Sequence, residues 1–238
     1  MPETYSITII NASNSPQQFL LLQAIPKPSG IPRYDVSTNV YQRSPQVAGT
    51  DGSAVTFNIS DEMHAIYGTS SRGEDGRARI TTSSSNAGSE GSYHTLTTDE
   101  GGQPRWDMGA SRGRTTYARG AFTIATDHRF QYPSRGDIYF GAGVKDPNSS
   151  KVIPVQTYSA KPSMVSHVVF NPKYYIAFGD YRPGTIIDMK ELGPVLEVDF
   201  SRNETRKDAS FTLNASRQYS ADPSMGKDVK WNFGHVYE

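Results

Sequence analysis

Apolar side chains recur at every second position in block after block of this chain. Tyr5, Ile7 and Ile9 alternate with Ser6 and Thr8, and Val55, Phe57 and Ile59 alternate with Thr56 and Asn58. Alternation with a period of two is the mark of a half-buried strand, because successive side chains point to opposite faces. Gln18 to Ala24 carries the apolar run Phe19–Leu22 after the turn cluster Asn11–Pro16. The two segments predict an N-terminal hairpin, followed by an extended link enforced by Pro26, Pro28 and Pro32. Strand patterns return at 121–125, 137–144 and 152–158.

The fullest pattern lies between Ser163 and Phe200. Met164, Ser166, Val168 and Phe170 share one face, and Val165, His167 and Val169 share the other. Tyr174, Ile176 and Phe178 resume the alternation, as do Leu196, Val198 and Phe200. Arg182-Pro183-Gly184-Thr185 predicts a type II turn, since proline presets the first central residue and glycine accepts positive φ at the second. Three such segments joined by turns predict an antiparallel meander, and Asp188–Gly193 a single helical turn. No stretch holds the helical period for more than about two turns. The expected fold is all-β: one antiparallel β-sandwich domain over residues 1–238, with roughly 11–13 strands, long loops and almost no helix.

The character changes between Thr69 and Gly120, where Ser, Thr, Gly and Arg dominate and large apolar residues are few. This stretch reads as a loop-rich insertion with one or two short strands, around 77–82 and 93–98.

Composition removes several chemistries. The 24 basic and 24 acidic residues cancel, so no general attraction to nucleic acid or an anionic membrane is expected. The absence of cysteine excludes disulfides, thiol nucleophiles and thiolate metal sites. No apolar run approaches the roughly 20 residues that span a bilayer. The opening residues carry no basic and apolar leader, and a cytoplasmic location is the expectation. Nucleotide-binding glycine motifs and the GxSxG elbow are absent, the histidines show no HxH or HExxH spacing, and neither cofactor nor metal is expected.

The segments TYSITIINASNSPQQFLLLQAIPK, FGAGVKDP and KYYIAFGDYRPGTIID resemble those of small fungal β-sandwich proteins that lack a signal sequence and mostly have no assigned function. The resemblance implies a cytoplasmic all-β fold and a place in fungal secondary metabolism. Its motifs are hairpins and turns, so it transfers no catalytic residue.

The candidate site comes from the residues themselves. Trp106 sits in the least core-like region, flanked by Arg105 and Asp107, with His94 nearby in sequence. Together they would offer a stacking face, an anion clamp and a proton donor or acceptor. His94 and Arg105 are the candidate catalytic residues, and Trp106, Tyr174 and Tyr181 the candidate ligand-binding ones. His167, on the face shared with Val165 and Val169, reads as a core-edge histidine bonded to backbone.

Two functions fit. One is a pocket for a small hydrophobic or aromatic ligand, with cofactor-free acid–base chemistry such as cyclisation, isomerisation or dehydration. The other is a lectin-like module stacking sugars on some of the 14 tyrosines. The first requires a deep cavity holding a titratable group, the second shallow exposed aromatics. Exposed strand edges also leave room for a homo-oligomer.

Overall fold

The computed structural model describes residues 4–26, 36–50, 52–73, 75–130, 138–202 and 205–236. The first half of the chain contributes β1 (Thr4–Asn11), β2 (Phe19–Gln23), β3 (Val36–Arg43), β4 (Ala54–Ser60), β5 (Met63–Arg72), β6 (Ala78–Ala87), β7 (Tyr93–Thr98) and β8 (Pro104–Trp106). A four-residue helix, Met108–Ser111, follows. The remainder adds β9 (Ala121–Thr126), β10 (Ile138–Lys145), β11 (Val152–Ser159), β12 (Val165–Val169), β13 (Lys173–Phe178) and β14 (Ile186–Ile187). Last come β15 (Val195–Asp199), β16 (Asp208–Leu213), β17 (Tyr219–Ala221) and β18 (Lys230–Gly234). The fold is all-β, as the alternation requires. The two- and three-residue strands β8, β14 and β17, which leave no periodic signature, account for part of the excess over the expected number.

Three sheets form two layers. A ten-stranded sheet runs β18-β15-β13-β2-β3-β11-β10-β5-β6, with β14 added beside β3. Two four-stranded sheets, β17-β16-β1-β4 and β12-β9-β7-β8, share its main apolar core. Phe19, Leu21, Phe140, Ile176 and Val198 come to that core from the large sheet, Ile7, Ile9, Phe57 and Phe211 from one small sheet, and Leu96, Phe122, Ile124 and Val168 from the other. A second cluster covers the opposite face of the large sheet, where Leu20, Leu22, Val40, Ala177 and Val195 meet Ile187, Met189 and Leu192. β2 therefore buries all five of its residues.

Some sequence expectations change here. β1 and β2 form no hairpin: β1 lies between β4 and β16, and β2 between β13 and β3. The link crosses between layers because buried Asn11 ties it down, donating from Nδ2 to the carbonyls of Ser15 and Val47, 3.0 Å each. The expected meander also divides. β13 pairs with β15, whereas β12 pairs with β9 in a small sheet. Asp188–Gly193 is a turn rather than a helix, and it carries Met189 and Leu192 onto the outer cluster. In the 69–120 stretch the strands expected near 77–82 and 93–98 are present as β6 and β7, with β6 running on to Ala87, and β8 is added. The Ser and Thr residues of β6 take up strand pairing with β5 without supplying an apolar signal. Most of the proline-rich link, 27–35, lies outside the described residues. Among the described residues, no helix is long and apolar enough to cross a membrane.

The type II turn stands as read. Gly184 has φ +86° and Thr185 N–H donates to the Arg182 carbonyl at 3.1 Å. The turn joins β6, since Ile80 N–H donates to the Gly184 carbonyl at 2.9 Å and Arg79 forms an isolated bridge with Thr185. A Cβ on Gly184 would lie 2.4 Å from the Ile80 carbonyl oxygen. Gly184→Ala thus combines positive-φ strain with a backbone clash and is expected to lose roughly 2–4 kcal/mol of stability, measured by urea denaturation.

Candidate functional site

The small sheet β12-β9-β7-β8 has two unlike faces. Its inner face presents His94, Leu96, Phe122, Ile124 and Val168 toward the core region. On the outer face the register aligns Tyr93, Thr123 and His167 directly across β7, β9 and β12. Side chains so aligned stand close enough to act as one surface. The segment after the short helix rises beside this row. Arg114, Thr115, Thr116, Tyr117 and Ala118, with Val165, complete an open groove of about 490 Å³.

Aromatic and hydrogen-bonding groups meet in the groove. The Arg114 guanidinium lies 4.0 Å over the centre of the Tyr93 ring, a cation–π arrangement that leaves the guanidinium edge able to donate. Tyr117 is 99% exposed, so almost nothing in the fold covers its ring. His167 Nδ1 is 2.9 Å from Thr123 Oγ1 and 3.4 Å from Thr116 Oγ1. These contacts occupy one nitrogen and hold the ring, leaving Nε2 uncommitted among the described residues. The described residues hold no group of three or more His, Asp or Glu side chains that could bind a metal ion. Chemically the groove offers stacking faces, hydroxyls, a guanidinium and an imidazole.

A model of the RhiA family matches residues 2–223, a span that contains every residue of the groove. The chain belongs to the RhiA family. No curated protein and no solved structure matches it.

Within this RhiA-family chain the five residues proposed from sequence are dispersed. His94 and Trp106 do meet, with ring centres 5.9 Å apart. They meet on the inner side of the small sheet, where the Trp106 ring also packs edge-on against Tyr67 at 5.3 Å and Nε1 donates to Ser84 Oγ at 3.2 Å. Trp106 thereby fastens the small sheet to β5 and β6. Arg105, the preceding strand residue, points to the other face and is exposed. Tyr174 is fully buried against Tyr5 and Phe200, and burial pushes its phenol pKa up. Tyr181 packs on the outer cluster under the Arg77 guanidinium, 4.8 Å from its ring centre.

Sequence reasoning took His167 for a core-edge histidine bonded to backbone, whereas its partners are the hydroxyls of Thr123 and Thr116, and it did not single out Tyr117 or Arg114. The alternation placed His167 opposite Val168, and a buried Val168 turns His167 outward. Its Thr123 partner could be found only from the pairing of β9 with β12.

Burial lowers the pKa of His94, whose Nε2 is 3.0 Å from Ser92 Oγ, and likewise that of His64. The unfolded chain, with histidines near 6.5, then binds more protons than the folded one below that pH. Stability is expected to hold above pH 6.5 and to fall as pH drops from 6.5 toward 5. Replacing both residues by Gln flattens that slope, as urea midpoints taken across the range will show. Trp106→Ala is expected to lose about 3 kcal/mol through the vacated packing, read from the same denaturation curves.

Proposed function

We propose that this protein binds carbohydrate, taking a saccharide into the groove between Tyr93 and Tyr117. The exposure of Tyr117 beside the Arg114–Tyr93 stack carries the reading. A sugar ring has a C–H face that packs on an aromatic plane and hydroxyls that need partners along its edge. Tyr117 supplies the plane, while Thr115, Thr116, Arg114 and His167 supply donors and acceptors around it. The open shape also fits a ligand held by its face rather than one enclosed for reaction.

One observation favours a second reading, acid–base chemistry on a small aromatic ligand in the same groove. His167 is fixed through Nδ1 and keeps Nε2 uncommitted, which is how a positioned general base is held.

Titration calorimetry against a panel of mono- and oligosaccharides separates the two. Wild-type protein is expected to bind at least one saccharide, and Tyr117→Ala to weaken that binding at least tenfold. The Tm of Tyr117→Ala should stay within about 1–2 °C of wild type, since a fully exposed ring contributes little to stability. Failure of the wild type to bind any saccharide overturns the carbohydrate reading. Turnover of an aromatic substrate that is lost in His167→Gln, with binding retained, would establish the second.

A further inference from the structure

A cleft at the far edge of the large sheet gathers four arginines from four separate segments. Arg43 ends β3, Arg72 ends β5, Arg79 belongs to β6, and Arg182 opens the type II turn. The Arg79–Thr185 bridge brings β6 against that turn, and the surrounding cleft measures about 480 Å³. It shares no residue with the tyrosine groove.

Two carboxylates, Asp75 and Asp180, also line the cleft. Both are already engaged. Asp180 Oδ1 accepts from Arg43 Nη1 at 2.5 Å, and Asp75 Oδ1 accepts from the Arg77 backbone N–H at 3.0 Å. Arg79 spends Nε on the Pro183 carbonyl at 2.9 Å, which fixes the guanidinium and leaves its outer nitrogens. Arg72 and Arg182 have no ion-pair partner among the described residues. Among the described lining residues, four guanidinium groups stand against two carboxylates, an excess of two positive charges on a chain whose net charge is +0.

Guanidinium groups that share one cleft repel one another, and an anion held between them relieves that repulsion. A single carboxylate presents two oxygens, too few for the donors that Arg72, Arg79 and Arg182 leave unused. A phosphate group presents three terminal oxygens and up to two negative charges, and it takes bidentate bonds from more than one guanidinium. We propose that this cleft is a binding site for the phosphate group of a small ligand, held chiefly by Arg72 and Arg182 with Arg79 as the fixed wall. Binding there would also draw β5 and β6 toward the 182–185 turn.

Thermal melting of the full chain tests this, with ionic strength held constant by exchanging sodium chloride for phosphate. Inorganic phosphate is expected to raise Tm saturably, with half-saturation at about 10 mM or less. In Arg72→Gln/Arg182→Gln the apparent Kd should rise at least tenfold, while circular dichroism stays that of the wild type. Arg72→Lys/Arg182→Lys keeps the charge and loses the fork geometry, and a severalfold weaker response is expected. Glucose 6-phosphate separates the sources. Tighter binding than inorganic phosphate extends the site to a phosphate ester, equal binding assigns the bare ion, and both outcomes support a phosphate site. Tyr117→Ala should leave the phosphate response unchanged, so failure of the saccharide reading would not carry over. A response no greater than that to chloride overturns the proposal, as does full phosphate binding by the folded Gln variant. A single-stranded oligonucleotide binding more tightly than the ester would also overturn it, because the cleft would then serve a polymer.

Discussion

Burial of the middle of the large sheet on both faces is the constraint from which the architecture follows. β2 sends Phe19 and Leu21 into the main core and Leu20 and Leu22 into the outer cluster, with no side chain left for solvent. A strand like this sits stably only where something covers each side. The two four-stranded sheets cover one side. On the other, the 186–192 segment lays Ile187, Met189 and Leu192 across β2, β3 and β13. The 182–185 turn directs that segment, so the covered outer face, the β6 seam and the arginine cleft share one origin.

The strands were readable because their physics is local. Ile7 and Ile9, or Tyr174 and Ile176, announce a buried face through spacing alone. Pro183-Gly184 announces its turn because each residue restricts its own backbone. Pairing was not readable, for it depends on residues far apart. Nothing local in Val165–Val169 distinguishes a neighbour in β13 from one in β9, and the small sheet was the partner chosen. The polar stretch showed a strand near 77–82 but not its length. Ser84 and Ser85 carry no hydrophobic signal, yet beyond a bulge at Ser83 they pair with Tyr67 and Ile66 of β5.

The same distinction governs the sites. A tryptophan in polar surroundings must be covered or must bind, and Trp106 is covered by Tyr67, His94 and Ser84. The groove depends on lateral register across β7, β9 and β12, and the arginine cleft on contact between β6 and a turn about 100 residues later. Neither combination leaves a trace in the spacing of its members. What did survive from sequence was the inventory: abundant tyrosine, dispersed arginine and histidines without metal spacing.

The position of β1 has a consequence for synthesis. β1 can pair with β4 soon after both emerge, but its other edge waits for β16, joined in parallel from Ser6↔Asp208 to Asn11↔Leu213. A ribosome adding about 5–20 residues per second needs roughly 10–40 s to travel that interval. During that time the nascent chain displays an open strand edge bearing Ile7 and Ile9, which are fully buried only in the finished protein. Any contact that the free edge of β1 makes in the interval has to be surrendered when Asp208–Leu213 arrives, so translation speed and chaperone occupancy bear on the yield of native protein.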